Sequence, residues 1–197
     1  RRLAVRDLSP AGHQPMVSED GRHVLVYNGE IYDIDGPRDE LRARGRRFDG
    51  DSDTEVLLNA CVEWGPEKAV ERLNGMFAFA FWDGDARTLT LARDRLGIKP
   101  MYWAEADGLF LFGSELKALR AHPDWRPELD RDALAAYARL SYVPAPRCIW
   151  RGAHKLEPGT VLTLGAGRTG ITRYWDMADI AAQERTPVSM QEAADGL

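Results

Sequence analysis

Short apolar runs divide this chain into strands and helices of ordinary length. Residues 76–82 are apolar at every position, which predicts a strand buried on both faces. Between residues 53 and 64 the apolar positions recur at spacings of three and four, which predicts a helix with one buried face. These positions are Val56, Leu57, Ala60, Cys61 and Trp64. Cys61 is therefore predicted to be a core residue rather than a reactive thiol.

The same patterns predict the remaining elements. We expect strands over residues 2–7, 22–27, 88–92, 101–104, 109–112, 160–164 and 171–175, and helices over 39–45, 66–73, 115–121 and 130–140. Residues 10–16 are predicted to be loop, because prolines and a glycine interrupt them. Helices that interrupt antiparallel hairpins, with one strand covered on both faces, indicate an α+β fold. The pattern alone does not set the number of layers.

The strand predicted over residues 22–27 runs directly into Asn28, Gly29 and Glu30. Asn-Gly is typical of a tight turn, so a plain β-hairpin turn is the simpler interpretation of the spacing. The same residues also place a carboxamide, a backbone N–H and a carboxylate close together. Those groups are the parts of an oxyanion hole beside an ammonium-binding residue. Both interpretations stay open at this point.

Composition excludes several classes of function. The 197 residues carry a net charge of −5, which disfavours nucleic-acid and acidic-membrane binding. The two cysteines, Cys61 and Cys148, indicate no disulfide framework, and we expect a reducing, cytoplasmic location. No apolar run is long enough for a transmembrane helix. The four histidines lack metal-ligand spacing, so no metal is predicted.

Three further motifs follow the Asn28–Tyr32 run in a fixed order. They are Asp51-Ser52-Asp53-Thr54-Glu55, Asp94-Arg95-Leu96-Gly97-Ile98-Lys99-Pro100 and Ser114-Glu115-Leu116-Lys117-Ala118-Leu119. With these motifs the chain resembles class II glutamine amidotransferase domains, and in particular the N-terminal domain of glutamine-hydrolysing asparagine synthetases, over residues 1–176. The resemblance implies a four-layer αββα sandwich of the N-terminal-nucleophile hydrolase type. Because the chain begins with Arg1, we expect it to lack the first strand of that fold.

The resemblance also implies a glutamine-binding site. By this resemblance, Arg2 holds the α-carboxylate of glutamine, and the backbone of Leu3, Ala4, Val5 and Arg6 lines the pocket. The Asn28 carboxamide and the Gly29 N–H form the oxyanion hole. Glu30 and Asp53 hold the α-ammonium group. Arginine suits a carboxylate, because its planar guanidinium pairs with two oxygens. The simpler alternatives are a solvated terminal charge for Arg2 and a helix N-cap for Asp53.

The nucleophile of this family is an N-terminal cysteine whose own α-amino group serves as the base. That cysteine is not in this sequence, and neither Cys61 nor Cys148 is a substitute for it. We therefore expect residues 1–197 alone to be inactive and the natural protein to be longer. Residues 177–197 are predicted to be a linker that leads into a synthetase domain in cis.

The complete enzyme implied by the resemblance hydrolyses glutamine and passes ammonia to that second domain, which uses ATP and Mg²⁺ to amidate aspartate. No cofactor is expected in residues 1–197. Two alternatives stay open: an amidotransferase with another acceptor, and a scaffold domain that has lost its cysteine. A homodimer is also an open option.

The two remaining motifs are interpreted as structural. The run from Asp94 to Pro100 has a single glycine and a proline after Lys99, so it does not match a phosphate-binding loop. A turn in which Asp94 pairs with Arg95 or Lys99 is the preferred interpretation. Ser114 is predicted to cap the helix that follows it.

Overall fold

The computed structural model of the protein describes residues 12–106, 108–165 and 168–182. Its strands are β1 (Met16–Val17), β2 (His23–Ile31), β3 (Gly75–Asp83), β4 (Thr88–Arg93), β5 (Tyr102–Ala106), β6 (Leu109–Gly113), β7 (Ala153–Lys155), β8 (Thr160–Gly165) and β9 (Arg168–Arg173). Its helices are α1 (Asp35–Ala43), α2 (Asp53–Trp64), α3 (Pro66–Arg72), α4 (Leu116–Arg120), α5 (Arg131–Leu140) and α6 (Met177–Ala182). Each helix among these residues is too short or too polar to cross a membrane.

The described strands form two antiparallel sheets. The larger sheet has six strands in the order β1-β2-β3-β4-β8-β9, and the smaller has three in the order β6-β5-β7. The longest pairing joins β2 and β3, from His23 opposite Asp83 to Ile31 opposite Gly75. This central pairing positions the residues discussed below.

Alternation along β3 shows how the layers stack. Phe77, Phe79 and Phe81 pack into a core that contains buried residues of α1, α2 and α3. Ala78 and Ala80 point the other way, into a second core shared with the smaller sheet. Small residues on that face allow the two sheets to approach each other closely. The prediction of a strand buried on both faces is confirmed for residues 77–81, whereas Met76 is only partly buried and Trp82 is exposed.

The smaller sheet repeats this arrangement. Trp103 of β5 packs toward the larger sheet, whereas Ala104 packs into a third core with Leu119 of α4. The order of layers is therefore helices, six-stranded sheet, three-stranded sheet, helix. This order confirms the predicted α+β class and the four-layer αββα sandwich.

Several predicted boundaries differ from the structure. The helix over residues 53–64 is confirmed as α2, but α1 starts at Asp35 rather than at residue 39. Strand β9 begins at Arg168, three residues earlier than predicted, and β1 and β7 were not expected. The strand predicted over residues 2–7 lies outside the described residues. Helix α6 occupies the start of the predicted linker, and the domain boundary at residue 176 stays a prediction.

The turn predicted at Asn28-Gly29 is wrong. Strand β2 continues through both residues and ends at Ile31, because its pairing with β3 outweighs the local turn preference of Asn-Gly. A glycine is required at position 29 for another reason. A Cβ atom there would lie 2.2 Å from the backbone oxygen of Met76, so the two strands approach too closely for any side chain.

Candidate functional site

One edge of β2 carries backbone N–H groups that point away from β3. The N–H of Tyr27 donates to Oε1 of Gln14 at 2.7 Å, and the N–H of Ile31 donates to Oδ2 of Asp53 at 3.0 Å. In an antiparallel strand, alternate residues direct their N–H groups to the same edge. The Gly29 N–H therefore points to this edge too, between those of Tyr27 and Ile31. A donor at this position can serve an oxyanion.

Asp53 approaches the same edge from the start of α2. Its side chain is buried, and Oδ2 accepts hydrogen bonds from the Tyr27 hydroxyl at 2.8 Å and from the Ile31 N–H. The alternative that Asp53 caps α2 is wrong. Ser52 is the N-cap residue, and its hydroxyl accepts from the Glu55 N–H at 3.2 Å. The Asp53 carboxylate is thus directed at β2 rather than at its own helix.

The Tyr27 hydroxyl holds the Asp53 carboxylate through its hydrogen bond to Oδ2. Burial raises the pKa of Tyr27 well above its ordinary value, and the nearby negative charge of Asp53 raises it further. Tyr27 therefore stays neutral and donates to Asp53 across the physiological pH range. Tyr27 was not among the residues predicted for the site. Its burial is indicated in the sequence by its position two residues after Leu25, on the inward face of the same strand.

Asn28 lies on the opposite face of β2 from Tyr27 and is exposed. Its Nδ2 atom donates to Oγ of Ser114 at 3.2 Å. The prediction that Ser114 caps α4 is wrong, because Glu115 is the N-cap residue of that helix. The hydrogen bond instead joins the six-stranded sheet to the segment that follows β6. Sequence reasoning missed this pair, since 86 positions separate the two residues.

Glu30 is half-buried and shares the face of Asn28 through the alternation of β2. Its negative charge also contributes to raising the pKa of Tyr27, after the larger effects of burial and of Asp53. Both carboxylates thus act on the same hydroxyl group. Their predicted role at a substrate ammonium group stays a prediction.

The other predicted site residues, Arg2, Leu3, Ala4, Val5 and Arg6, lie outside the described residues. Their roles in binding a carboxylate and lining a pocket stay predictions. The described part of the predicted site therefore consists of Asn28, Gly29, Glu30 and Asp53, with Tyr27 and Ser114 as their hydrogen-bond partners.

Asp94 is a buried carboxylate with a different role. Oδ1 accepts from the backbone N–H groups of Leu96 and Ile98, and Oδ2 accepts from those of Phe77 and Lys99. The expected pairing with the side chain of Arg95 or Lys99 is wrong, because backbone donors occupy both oxygens. The guanidinium of Arg95 binds the carbonyls of Leu73 and Glu71 instead. The structural interpretation of this motif is confirmed, with different partners.

Neither cysteine has the surroundings of an activated nucleophile. Cys61 lies in the core on α2, as predicted, and burial raises the pKa of its thiol. Burial also raises the pKa of Cys148. A raised pKa keeps the sulfur protonated at neutral pH, where it is a poor nucleophile.

One cluster of described side chains has ligand atoms close enough for a metal ion. Single atoms of His23, Asp83 and Asp85 lie within 4.8 Å of one another. The guanidinium of Arg22 is 3.0 Å from Asp85 and also pairs with Asp20, so a cation already balances this cluster. It lies at the opposite end of β2 from Gly29 and Asp53.

Residues 1–175 match the family model for a glutamine amidotransferase domain. The chain belongs to this family. It is 43% identical over 180 residues to asparagine synthetase (glutamine-hydrolysing) 3 of Bacillus subtilis, and the match covers 90% of this chain and 29% of that protein. Asparagine synthetase (glutamine-hydrolysing) 1 of the same organism is 40% identical, over 83% of this chain and 26% of that protein.

A solved structure agrees on the fold. Glutamine phosphoribosylpyrophosphate amidotransferase from B. subtilis aligns with a TM-score of 0.55 at 19% identity, over 82% of this chain and 32% of that one. This likeness supports the predicted four-layer sandwich. The resemblance to asparagine synthetases is confirmed for this amidotransferase domain. The chain spans less than a third of the length of these two synthetases.

Proposed function

We propose that this domain hydrolyses glutamine and supplies ammonia to an asparagine synthetase. The single observation that carries the proposal is the placement of the Gly29 N–H and the Asp53 carboxylate at one edge of β2. An oxyanion donor suits the side-chain amide of glutamine, and an acid suits its α-ammonium group at the other end of the molecule.

The spacing along β2 suits this substrate. Ile31 donates to Asp53 two residues beyond Gly29, and two residues of a strand span about 6.6 Å. The α-nitrogen and the side-chain oxygen of an extended glutamine are separated by roughly the same length. Bound in this way, the ammonium group lies at Asp53 and Glu30 while the amide oxygen lies at Gly29 and Asn28.

The chemistry assigned to these residues is electrostatic. The α-amino group of the cysteine takes the thiol proton, the resulting thiolate attacks the amide carbon, and the carbonyl oxygen becomes an oxyanion. When the C–N bond breaks, the same amino group returns the proton to the nitrogen, so ammonia leaves and a thioester remains, which water hydrolyses to glutamate. Gly29 and Asn28 donate hydrogen bonds to the developing oxyanion. In this proposal the thiolate belongs to the N-terminal cysteine of the family, and Arg2 holds the α-carboxylate of the substrate.

We assign aspartate as the acceptor of the ammonia from the names of the similar proteins. The similar B. subtilis proteins are named as asparagine synthetases, and this chain matches only part of each. We therefore assign the amidation of aspartate, with its ATP and Mg²⁺, to a further domain in cis. In this scheme ammonia moves from the glutamine site to that domain.

The test compares glutamine with ammonia as the nitrogen source in the intact gene product. Asn28→Ala is expected to slow glutamine hydrolysis by about 10²- to 10³-fold, because one oxyanion donor is lost. Asparagine synthesis from ammonia is expected to stay near the wild-type rate, since ammonia bypasses this site.

Three results would contradict the proposal. A wild-type protein that does not hydrolyse glutamine removes the glutaminase assignment. Unchanged hydrolysis in Asn28→Ala removes this residue from the oxyanion hole. Hydrolysis of glutamine that is stimulated by an acceptor other than aspartate would support a different amidotransferase.

A further inference from the structure

We propose that Ser114 is a positioning residue that orients the Asn28 carboxamide for oxyanion binding. The inference rests on the proposed glutaminase function. It concerns a side chain that only the tertiary structure brings to the site, from the motif that begins at Ser114. Asn28 lies on β2 of the larger sheet, and Ser114 follows β6 of the smaller one.

The contact is a single hydrogen bond from Nδ2 of Asn28 to Oγ of Ser114, at 3.2 Å. The Asn28 side chain is otherwise exposed. The last torsion of an asparagine side chain is broad, so an exposed carboxamide samples many orientations. Ser114 restricts this torsion by accepting one of the two amide hydrogens, which defines the plane in which the second hydrogen lies.

The Ser114 hydroxyl is not required by the helix beside it. The first turn of α4 closes through the backbone, where the Ala118 N–H donates to the Glu115 carbonyl at 3.0 Å. The N-cap residue is Glu115, and this described helix has no side-chain cap hydrogen bond. The hydroxyl is instead directed across the sandwich to Asn28.

Packed elements hold the backbone on both sides of Ser114. Gly113 before it pairs with Tyr102 in the smaller sheet, and Leu119 after it is buried in the core beneath α4. A Cβ atom at position 113 would lie 3.2 Å from Leu119, so the strand and the helix are in close contact on either side of the serine. A hydroxyl fixed in this way can hold the mobile amide of Asn28, since preorganised donors are the ones that stabilise a transition state.

The consequence is a selective effect on the chemical step. Ground-state binding of glutamine depends mainly on its charged α-groups, which Ser114 does not approach in this proposal. Loss of the hydroxyl should therefore lower kcat and leave KM nearly unchanged, because the oxyanion exists only along the reaction path.

The experiment measures glutamine hydrolysis by variants of the intact gene product. Ser114→Ala is expected to lower kcat by about 3- to 10-fold, the usual effect of losing one neutral hydrogen bond, with KM within about twofold of the wild type. Ser114→Thr keeps a hydroxyl and is expected to restore most of this rate. The matched control is Ser18→Ala, which removes a hydroxyl that accepts from the His23 N–H at the far end of β2 and should leave kcat unchanged.

A double-mutant cycle with Asn28→Ala separates positioning from general damage. If Ser114 acts through Asn28, then Ser114→Ala should cause no further loss of kcat in the Asn28→Ala background. Additive losses would overturn the inference, as would an unaffected kcat in Ser114→Ala or a Ser114→Thr variant as slow as the alanine variant. A wild-type protein without glutaminase activity overturns the proposed function and this inference together. An active wild type with any of the other contradicting results overturns the inference alone.

Discussion

Asp53 and Asp94 are both buried carboxylates, but their hydrogen bonds differ. Asp94 receives four backbone N–H groups, two on each oxygen. For Asp53, the donors among the described residues are the Tyr27 hydroxyl and the Ile31 N–H, and both bind Oδ2. A carboxylate whose two oxygens both accept hydrogen bonds from backbone N–H groups stabilises the fold. One that is held through a single oxygen at a strand edge has capacity for a ligand.

The surroundings of Asp94 strengthen this contrast. The guanidinium of Arg93 donates to the carbonyls of Gly97, Lys99 and Leu156, and the Tyr174 hydroxyl donates to the Arg93 carbonyl. The Asp94 carboxylate and the Arg93 guanidinium are thus both directed at backbone groups. By contrast, Asp53 and Asn28 are held partly by other side chains, those of Tyr27 and Ser114. A sequence motif rich in charged residues can thus be structural, while in our proposal the catalytic groups lie on and beside a strand.

The largest expected effect is on stability at Asp94. In Asp94→Asn the amide nitrogen cannot accept, so two backbone N–H groups lose their partner. At about 1–3 kcal/mol for each unsatisfied donor, the free energy of unfolding should fall by roughly 2–6 kcal/mol. The denaturant midpoint of the intact protein, followed by tryptophan fluorescence, measures this loss.

The control for that variant is Asp83→Asn. Asp83 also accepts two backbone N–H groups, from Asp85 and Ala86, but at an exposed turn where water can replace them. We expect a loss of less than about 1 kcal/mol. Equal losses in the two variants would show that the buried loop around Asp94 is not a structural anchor.

The second largest effect is expected on the KM for glutamine when Asp53 is changed. Asp53→Asn keeps one acceptor for Tyr27 and Ile31 but removes the negative charge. The KM for glutamine should rise by about 10- to 100-fold, as expected when a charged hydrogen bond to an ammonium group is lost. Asparagine synthesis from ammonia should change little. A parallel fall of both activities would make Asp53 a structural residue like Asp94.

A smaller effect is expected at Tyr27. Tyr27→Phe removes one of the donors to Asp53 and should cost about 1 kcal/mol of stability, together with a rise of a few-fold in the KM for glutamine. Tyr174→Phe is the matched control, because its hydroxyl donates to the Arg93 carbonyl in the structural loop. It should lose similar stability without any change in KM. The comparison fails if the two tyrosine variants behave alike in both measurements.

The smallest effect is on the pH dependence of stability, at a residue outside both regions. Burial lowers the pKa of His154, which stacks on Trp103 at 4.5 Å in the smaller sheet. The unfolded chain, with an ordinary pKa of about 6.5, then binds a proton more readily than the folded one. His154 therefore does not reduce the free energy of unfolding above about pH 6.5, and it reduces this free energy increasingly as the pH falls toward the lowered pKa.

His154→Gln should therefore flatten the decline of the denaturant midpoint as the pH falls below about 6.5. The variants at Asp53 and Asp94 should keep the wild-type slope in this range, because His154 is intact in them. An identical slope in His154→Gln and the wild type would show that this histidine does not contribute.

The fold was predictable wherever local periodicity and burial agree. Helix α2 matches its predicted bounds, and β3 is buried on both faces as its continuous apolar run predicted. The site was predictable only in part. The residues Asn28, Gly29, Glu30 and Asp53 were identified through a resemblance, while their supports, Tyr27 and Ser114, were not.

The sequence by itself determined the class of the fold, the position of its buried strand and the motifs that mark the family. These properties follow from neighbouring residues, whose spacing along the chain sets which face is apolar. Only the tertiary structure decided that β2 runs through Asn28-Gly29, that Asp94 binds backbone rather than Arg95, and that Ser114 meets Asn28. Each of those outcomes depends on a partner brought close by the packing of strands. The short-range preferences of Asn-Gly, Asp-Arg and a serine before a helix are weaker than the hydrogen bonds and close contacts that this packing makes.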